Sequence, residues 1–239
     1  MIVALVTGGN SGIGEAVARQ LARQPDHHVI LTARNLEAGR EVAAAIVEEG
    51  NSASAVRLDL TSDESISMVA KHIKEVYGKL DILVNNAGTH IDDRSNLSVR
   101  ENLGMTFDTN VFGTAVLTDA LLDLLRQSSA PRAVFVSSAL GSLNLSNDEN
   151  WPHRDTGSRA YKSSKAALNM LVLHYSSALR DARGLVNSVC PGKVKTKMNG
   201  YEEGGVTPDV GARRIVELAL VGEDGPTATF SDRDGPIPW

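Results

Sequence analysis

Residues 1–34, MIVALVTGGNSGIGEAVARQLARQPDHHVILTAR, decide how the rest of the chain is read. Ile2-Val3-Ala4-Leu5-Val6 is an unbroken apolar run, the pattern of a strand covered on both faces. Thr7-Gly8-Gly9-Asn10-Ser11-Gly12-Ile13-Gly14 follows without a gap. From Glu15 to Gln24, apolar Val17, Ala18 and Leu21 recur at helical spacing. His28-Val29-Ile30-Leu31-Thr32 then reads as a second buried strand. A parallel strand pair needs a crossover helix, so the stretch is a βαβ unit.

The glycines give that unit a purpose. A strand turning straight into a helix leaves backbone N–H groups at the positive end of the helix dipole. Without side chains there, a pyrophosphate can approach the backbone closely. The spacing Gly8, Gly12 and Gly14, with Gly9 extra, departs from G-x-G-x-x-G. A strand before it, a helix after it and a second strand on schedule favour dinucleotide binding over a plain tight turn. At the end of the second strand an acid would bind a ribose 2′-OH, whereas an arginine accommodates a 2′-phosphate. Here the chain reads Thr32-Ala33-Arg34-Asn35, with no carboxylate before Glu37, which favours NADP(H) over NAD(H).

A length of 239 residues suits one α/β domain with a sizeable core. The net charge of −5 gives no basic footprint for nucleic acid. No apolar run approaches the roughly 20 residues that span a bilayer. With a first strand read at Ile2, no signal or transit segment is expected, and the single cysteine, Cys190, excludes an internal disulfide. The expectation is a soluble cytoplasmic protein acting on a small molecule.

Further on, the pattern predicts a helix over 36–49, a strand over 53–58 and a helix from about Thr61 to Tyr77. Asp59-Leu60 closes the third strand. Asp59 is placed to bond an adenine amino group; the alternative is that Asp59 or Thr61 caps the next helix. A fourth strand spans 80–84, followed by Asn85-Asn86-Ala87-Gly88. Residues 89–101, with Asp92-Asp93-Arg94, read as a loop, and one helix runs from about Asn102 to Leu125 with Asn110 and Gly113 inside it. A fifth strand over 133–136 ends in Ser137-Ser138, and 139–159 is irregular. A helix over 161–180, a strand over 185–189, a mobile flap over 193–205, a helix over 208–220 and a strand near 227–230 complete the chain. Strands and helices alternate with no linker or repeat, so a Rossmann-type doubly wound parallel sheet in a single domain is expected.

Tyr161 and Lys165 are four residues apart on a predicted helix and share one face. Ser138 stands at the carboxyl end of the preceding strand, the edge where open α/β sheets bind ligands. Carbonyl reduction needs a proton donor at oxygen as hydride reaches carbon. Free tyrosine titrates near 10, and a neighbouring ammonium is expected to lower that value. A serine hydroxyl beside it would orient the carbonyl. The competing reading is a packed tyrosine and a solvated lysine. His27, His28, His72, His90, His153 and His174 show no ligand spacing, so no metal site is expected. Cys190 reads as buried filler. Trp151, Leu140, Leu143 and Leu145 either line a substrate pocket or anchor the segment before Tyr161.

These motifs resemble the short-chain dehydrogenase/reductase family in its single-domain form, most of all its carbonyl reductases. The resemblance implies that Gly8, Asn10, Ser11, Gly12, Ile13 and Gly14 cradle the cofactor, with Arg34, Asp59 and Leu60 along the nucleotide. Asn86, Ala87 and Gly88 would support the sheet beside the nicotinamide ribose, and Pro191, Gly192, Val194 and Thr196 would contact the carboxamide. Asn110, Ser138, Tyr161 and Lys165 match the family's catalytic tetrad, with Asn110 implied to hold a water that relays protons to Lys165. Ser11 stands where many NADP-using members carry a basic residue, and Lys193 and Lys195 flank Val194 where that branch often has an aromatic and an arginine. The longer segment before Tyr161 implies covered tetramer surface, hence a monomer or homodimer. The expected activity is NADPH-dependent reduction of aldehydes or ketones. Alternatives are oxidation of a secondary alcohol, or a non-catalytic NADP(H)-binding sensor or scaffold, which commonly lacks the tyrosine or lysine.

Overall fold

The computed structural model describes residues 1–91 and 96–239, so the Asp92-Asp93-Arg94 part of the expected loop lies outside the described residues. Seven strands form one parallel sheet: β1 (Ile2–Val6), β2 (His27–Ala33), β3 (Ala53–Arg57), β4 (Ile82–Asn85), β5 (Arg132–Val136), β6 (Leu185–Val189) and β7 (Thr229–Ser231). Their order is β3-β2-β1-β4-β5-β6-β7. β1 pairs with β2 on one side and β4 on the other, with Val6 opposite both Leu31 and Val84. The winding direction reverses at that point, and the reversal opens a crevice beyond the strands' carboxyl ends.

Successive strand residues feed opposite cores. Val6, Leu31, Val84 and Val134 pack under α1 (Gly12–Ala22), α2 (Leu36–Glu48) and α8 (Pro208–Ala219). Leu5, Ile30, Leu83 and Phe135 pack under α3 (Asp63–Tyr77), α5 (Thr114–Arg126) and α7 (Arg159–Ala178). A buried Leu, Ile or Phe contributes roughly 1.5–3 kcal/mol of transfer free energy. The unbroken apolar runs in the sequence are therefore what a sheet covered on both faces requires.

Two expectations change between β4 and β5. The loop does not last to Glu101: Ser98 and Glu101 form a reciprocal capping box, and α4 (Val99–Phe107) starts there. The helix is also not continuous, because Asp108–Gly113 forms a π-helical turn between α4 and α5. Gly113 passes the β3–α3 connection so closely that a Cβ would lie 2.0 Å from the Leu60 carbonyl oxygen. The widened turn carries Asn110, the kind of place where π-bulges occur at functional sites.

The segment before Tyr161 contains a 3-10 turn (Ala139–Gly141) and the short helix α6 (Leu143–Asn147). Ser142 Oγ donates to the Pro238 carbonyl at 2.6 Å and Asn144 N to that of Trp239 at 2.9 Å. Leu145 packs with Cys190, Phe230 and Ile237, and the Lys162 ammonium sits 5.9 Å from the Trp151 ring centroid. Leu145 and Trp151 thus anchor the segment, while Leu143 is exposed. Phe112, Val116 and Met170 remain exposed on their helices.

Candidate active site

The glycine turn lies at the mouth of the crevice. Gly8 (φ +64°) and Gly12 (φ +55°) both take left-handed backbone. A side chain at Gly12 would project into the space below the flap, its Cβ 3.3 Å from Thr196 Cγ2. Gly14 serves packing, since a Cβ there would meet the Gly8 carbonyl oxygen at 2.2 Å. Ser11 takes the N-cap position of α1, but its hydroxyl caps no amide of that helix. The amides around Gly12, Ile13 and Gly14 therefore present the positive end of α1 to the cradle. Asn10 is partly buried in the same turn. This cradle, open above a glycine and roofed by a threonine methyl, fits a nucleotide pyrophosphate.

Thr7, the first residue of the glycine turn, braces it. Its hydroxyl accepts from the N–H groups of Asn86 and Ala87, each at 2.9 Å, and Asn86 Nδ2 donates to the Thr7 carbonyl at 2.8 Å. Asn86 and Ala87 thereby hold the turn against β4, and a Cβ on Gly8 would lie 3.3 Å from Ala87.

At the far end of the crevice, Arg34 follows the last residue of β2 and is exposed. Asn35 Oδ1 caps α2. Asp59 accepts from the Thr61 amide at 3.0 Å and its hydroxyl at 2.8 Å. Those bonds, joined by the fields of Arg34 and Arg57, lower its pKa. Neither Asp59 nor Thr61 caps α3: Ser62 does, accepting from Ser65 N, because Asp59 is committed to its own turn. The Leu60 side chain belongs to the core, which leaves only its main chain to face a nucleotide.

Ser138, Tyr161, Lys165 and Asn110 come together beyond β4 and β5. The Ser138 hydroxyl lies close enough to the Tyr161 hydroxyl to draw its pKa down. Ser138 Oγ also accepts from Leu140 N at 3.2 Å, fixing the hydroxyl at the end of β5. Lys165 Nζ lies 5.5 Å from the Tyr161 ring centroid and donates to the Val136 carbonyl at 2.7 Å. A Cβ on Gly88 would lie 3.2 Å from Asn110 Oδ1 and 3.6 Å from Lys165 Nζ, so the missing side chain keeps open a space shared by both. Asn110 Nδ2 donates to Ser164 Oγ at 3.0 Å, and Ser164 Oγ donates to the Tyr161 carbonyl at 2.8 Å. Ser164 is a residue that sequence reasoning missed, although it follows Tyr161 by three on the same helix face.

The electrostatics depart from expectation. Burial raises the Tyr161 pKa above its ordinary value, with the Ser138 hydroxyl acting the other way. Lys165, 4% exposed, is pushed down to about 8 by the same cause. Burial, rather than the ammonium one helical turn away, sets the direction of the Tyr161 shift. The Cys190 thiol is raised by burial, with the Gly192 and Ala139 amides pointing at it.

The segment expected to form a flap is fastened at its base. Val194 forms an isolated parallel bridge with Val206, and Gly211 of α8 is pressed against the Val194 side chain. Lys193 pairs with Glu202 at 2.6 Å. Pro191 and Gly192 (φ +75°) turn the chain out of β6, and Asn199 Oδ1 accepts from Thr196 N at 3.1 Å, holding Thr196 over Gly12. Among the described residues, no group of three or more His, Cys, Asp or Glu is gathered for a metal, and no helix is long and apolar enough to cross a membrane.

A parallel sheet with this strand order, a glycine cradle at its switch point and a Ser–Tyr–Lys cluster beside it define a short-chain dehydrogenase. The family model described as short chain dehydrogenase matches residues 2–205, and the chain belongs to that family. It is an oxidoreductase and resembles the carbonyl reductases. Among its relatives, a short-chain dehydrogenase of Penicillium roqueforti is 36% identical over 223 residues, covering 91% of this chain and 88% of that protein. Carbonyl reductase (NADPH) 1 of Bos taurus is 31% identical over 274 residues, covering 99% and 98%. The NADPH-bound carbonyl reductase from chicken fatty liver superposes with a TM-score of 0.85 at 25% identity, covering 100% of this chain and 98% of that one.

Proposed function

We propose that the protein reduces aldehydes or ketones to alcohols with NADPH. The observation that carries this reading is the convergence of three side chains: Lys165 Nζ lies 5.5 Å from the Tyr161 ring centroid, and the Ser138 hydroxyl is near enough to act on the phenol. Bound NADPH would supply the hydride that reaches the carbonyl carbon. Ser138 steadies the carbonyl oxygen, and Tyr161 gives that oxygen its proton. The raised pKa of Tyr161 keeps the phenol protonated at neutral pH, the form a donor needs. Lys165 then returns a proton to Tyr161. Asn110, whose Oδ1 faces the space below Gly88, holds the water through which Lys165 is recharged.

Gly8, Asn10, Ser11, Gly12, Ile13 and Gly14 hold the pyrophosphate, and Arg34 the 2′-phosphate. Asp59 and the Leu60 main chain face the adenine. Asn86, Ala87 and Gly88, with Tyr161 and Lys165, border the ribose, and Pro191, Gly192, Val194 and Thr196 the carboxamide. The carbonyl reductases among the relatives support the cofactor and substrate class. Residues 139–160 and 193–206 choose the substrate. A panel of aldehydes and ketones, followed by loss of reduced-nicotinamide absorbance with NADPH and with NADH, tests this. Turnover of at least one carbonyl with NADPH is expected. Binding of NADPH with no turnover across the panel would instead support a sensor.

A further inference from the structure

His90 lies two residues beyond Gly88, on the segment leaving β4. The chain just before it is tightly held: Thr89 N donates to Asn110 Oδ1 at 2.7 Å, and Asn110 Nδ2 donates to the Thr89 carbonyl at 2.9 Å. From that fixed point the His90 ring reaches the Tyr161 ring, with centroids 4.6 Å apart and planes inclined by 34°. His90 Nε2 is hydrogen-bonded to Ser158 Oγ at 3.1 Å. Ser158 occupies the N-cap position of α7 and is buried, yet its hydroxyl caps no amide of that helix. Serine at an N-cap ordinarily spends its hydroxyl on the first turn. Here it is turned toward an imidazole that packs on a tyrosine three residues further along.

We infer that His90 is a positioning residue for Tyr161, clamped by Ser158, which holds the phenol ring so that its hydroxyl stays beside Ser138. The inference rests on the proton-donor reading of Tyr161. Tyr161 starts at the third residue of α7, where the helix itself gives a side chain little lateral support. A ring packed on one side by an anchored imidazole and faced by Lys165 loses the freedom to swing. A displacement of about 1 Å at a reacting group can cost on the order of 100-fold in rate. Asn110 has a second task in this arrangement, since the amide that faces Lys165 also fixes the main chain that delivers His90.

The test measures kcat and KM for a carbonyl substrate from the screen, together with NADPH binding by fluorescence, in the full chain. His90→Ala is expected to lower kcat by about 10- to 100-fold with NADPH affinity within about twofold of the parent. His90→Phe keeps the packed ring and loses the Ser158 bond, so it should retain more activity than His90→Ala. Ser158→Ala should match His90→Phe, and the double variant should be no worse than either, because one bond is lost in all three. Parental kcat in His90→Ala, or additive losses in the double variant, would overturn the inference. If Tyr161→Phe also keeps its turnover, the reading beneath it falls as well; if Tyr161→Phe is inactive, only the role of His90 falls.

Discussion

The ammonium of Lys165 donates to the Val136 carbonyl at 2.7 Å, from a side chain that is 4% exposed. Burial holds its pKa near 8, against 10.5 for a free lysine. Below about pH 8 both folded and unfolded chains carry the proton, and the folded state bears the cost of the buried charge. Between about 8 and 10.5 only the unfolded chain keeps it, so stability from this group rises with pH across that window. At about 1.4 kcal/mol per pH unit the window is worth roughly 3 kcal/mol. Denaturant melts of the parent and Lys165→Met at pH 7 and 10 should therefore converge as pH rises, the variant being relatively more stable at pH 7. Parallel changes in the two proteins would contradict the assignment.

Two helical glycines should respond in opposite directions. A methyl at Gly113 would meet the Leu60 carbonyl oxygen at 2.0 Å, so Gly113→Ala must part α5 from the β3–α3 connection. A loss of about 3 kcal/mol or more is expected. Gly104, inside α4, has nothing within 4 Å of an added Cβ. Gly104→Ala should gain about 0.5–1 kcal/mol from helix propensity. Urea denaturation of both variants reads the two signs.

Thr7→Val removes the acceptor that serves both the Asn86 and Ala87 amides. Leaving such donors unpaired costs about 1–3 kcal/mol each. Loss of melting temperature should be accompanied by weaker NADPH binding, because the brace holds the glycine turn. A variant destabilised but with parental NADPH affinity would separate Thr7 from the cradle.

Arg34 is exposed at the end of β2 with no basic residue at Ser11 to share a 2′-phosphate. Hydrogen bonds to charged groups contribute about 1.5–3 kcal/mol. Arg34→Ala should raise the KM for NADPH by about 10- to 100-fold while that for NADH stays within about twofold. Equal effects on both would remove the NADP(H) assignment.

The strands were legible where burial on both faces leaves a continuous apolar run, as in Ile2–Val6, which begins and ends where the sequence predicts; Leu185–Val189 does so too, although it buries Asn187 and Ser188. Helix ends were less so, since apolar spacing does not report caps such as the Ser98–Glu101 box. A six-residue π turn leaves no mark in that spacing either, so the break at Asp108–Gly113 was invisible. Tyr161 and Lys165 stood out because four residues on one helix guarantee a shared face. His90 could not, because its contact with Tyr161 spans 71 positions and exists only through the sheet that joins them. The direction of the Tyr161 pKa was likewise hidden: a lysine four residues away is visible in a sequence, but how deeply both are buried is not.

Proton donation by one phenol is the centre of the account, and Tyr161→Phe addresses it with the loss of a single oxygen. Single-turnover reduction of a carbonyl substrate by pre-bound NADPH should fall by at least about 100-fold, with NADPH affinity and melting temperature close to the parent. Near-parental turnover in a variant that still binds NADPH would show that the proton comes from elsewhere.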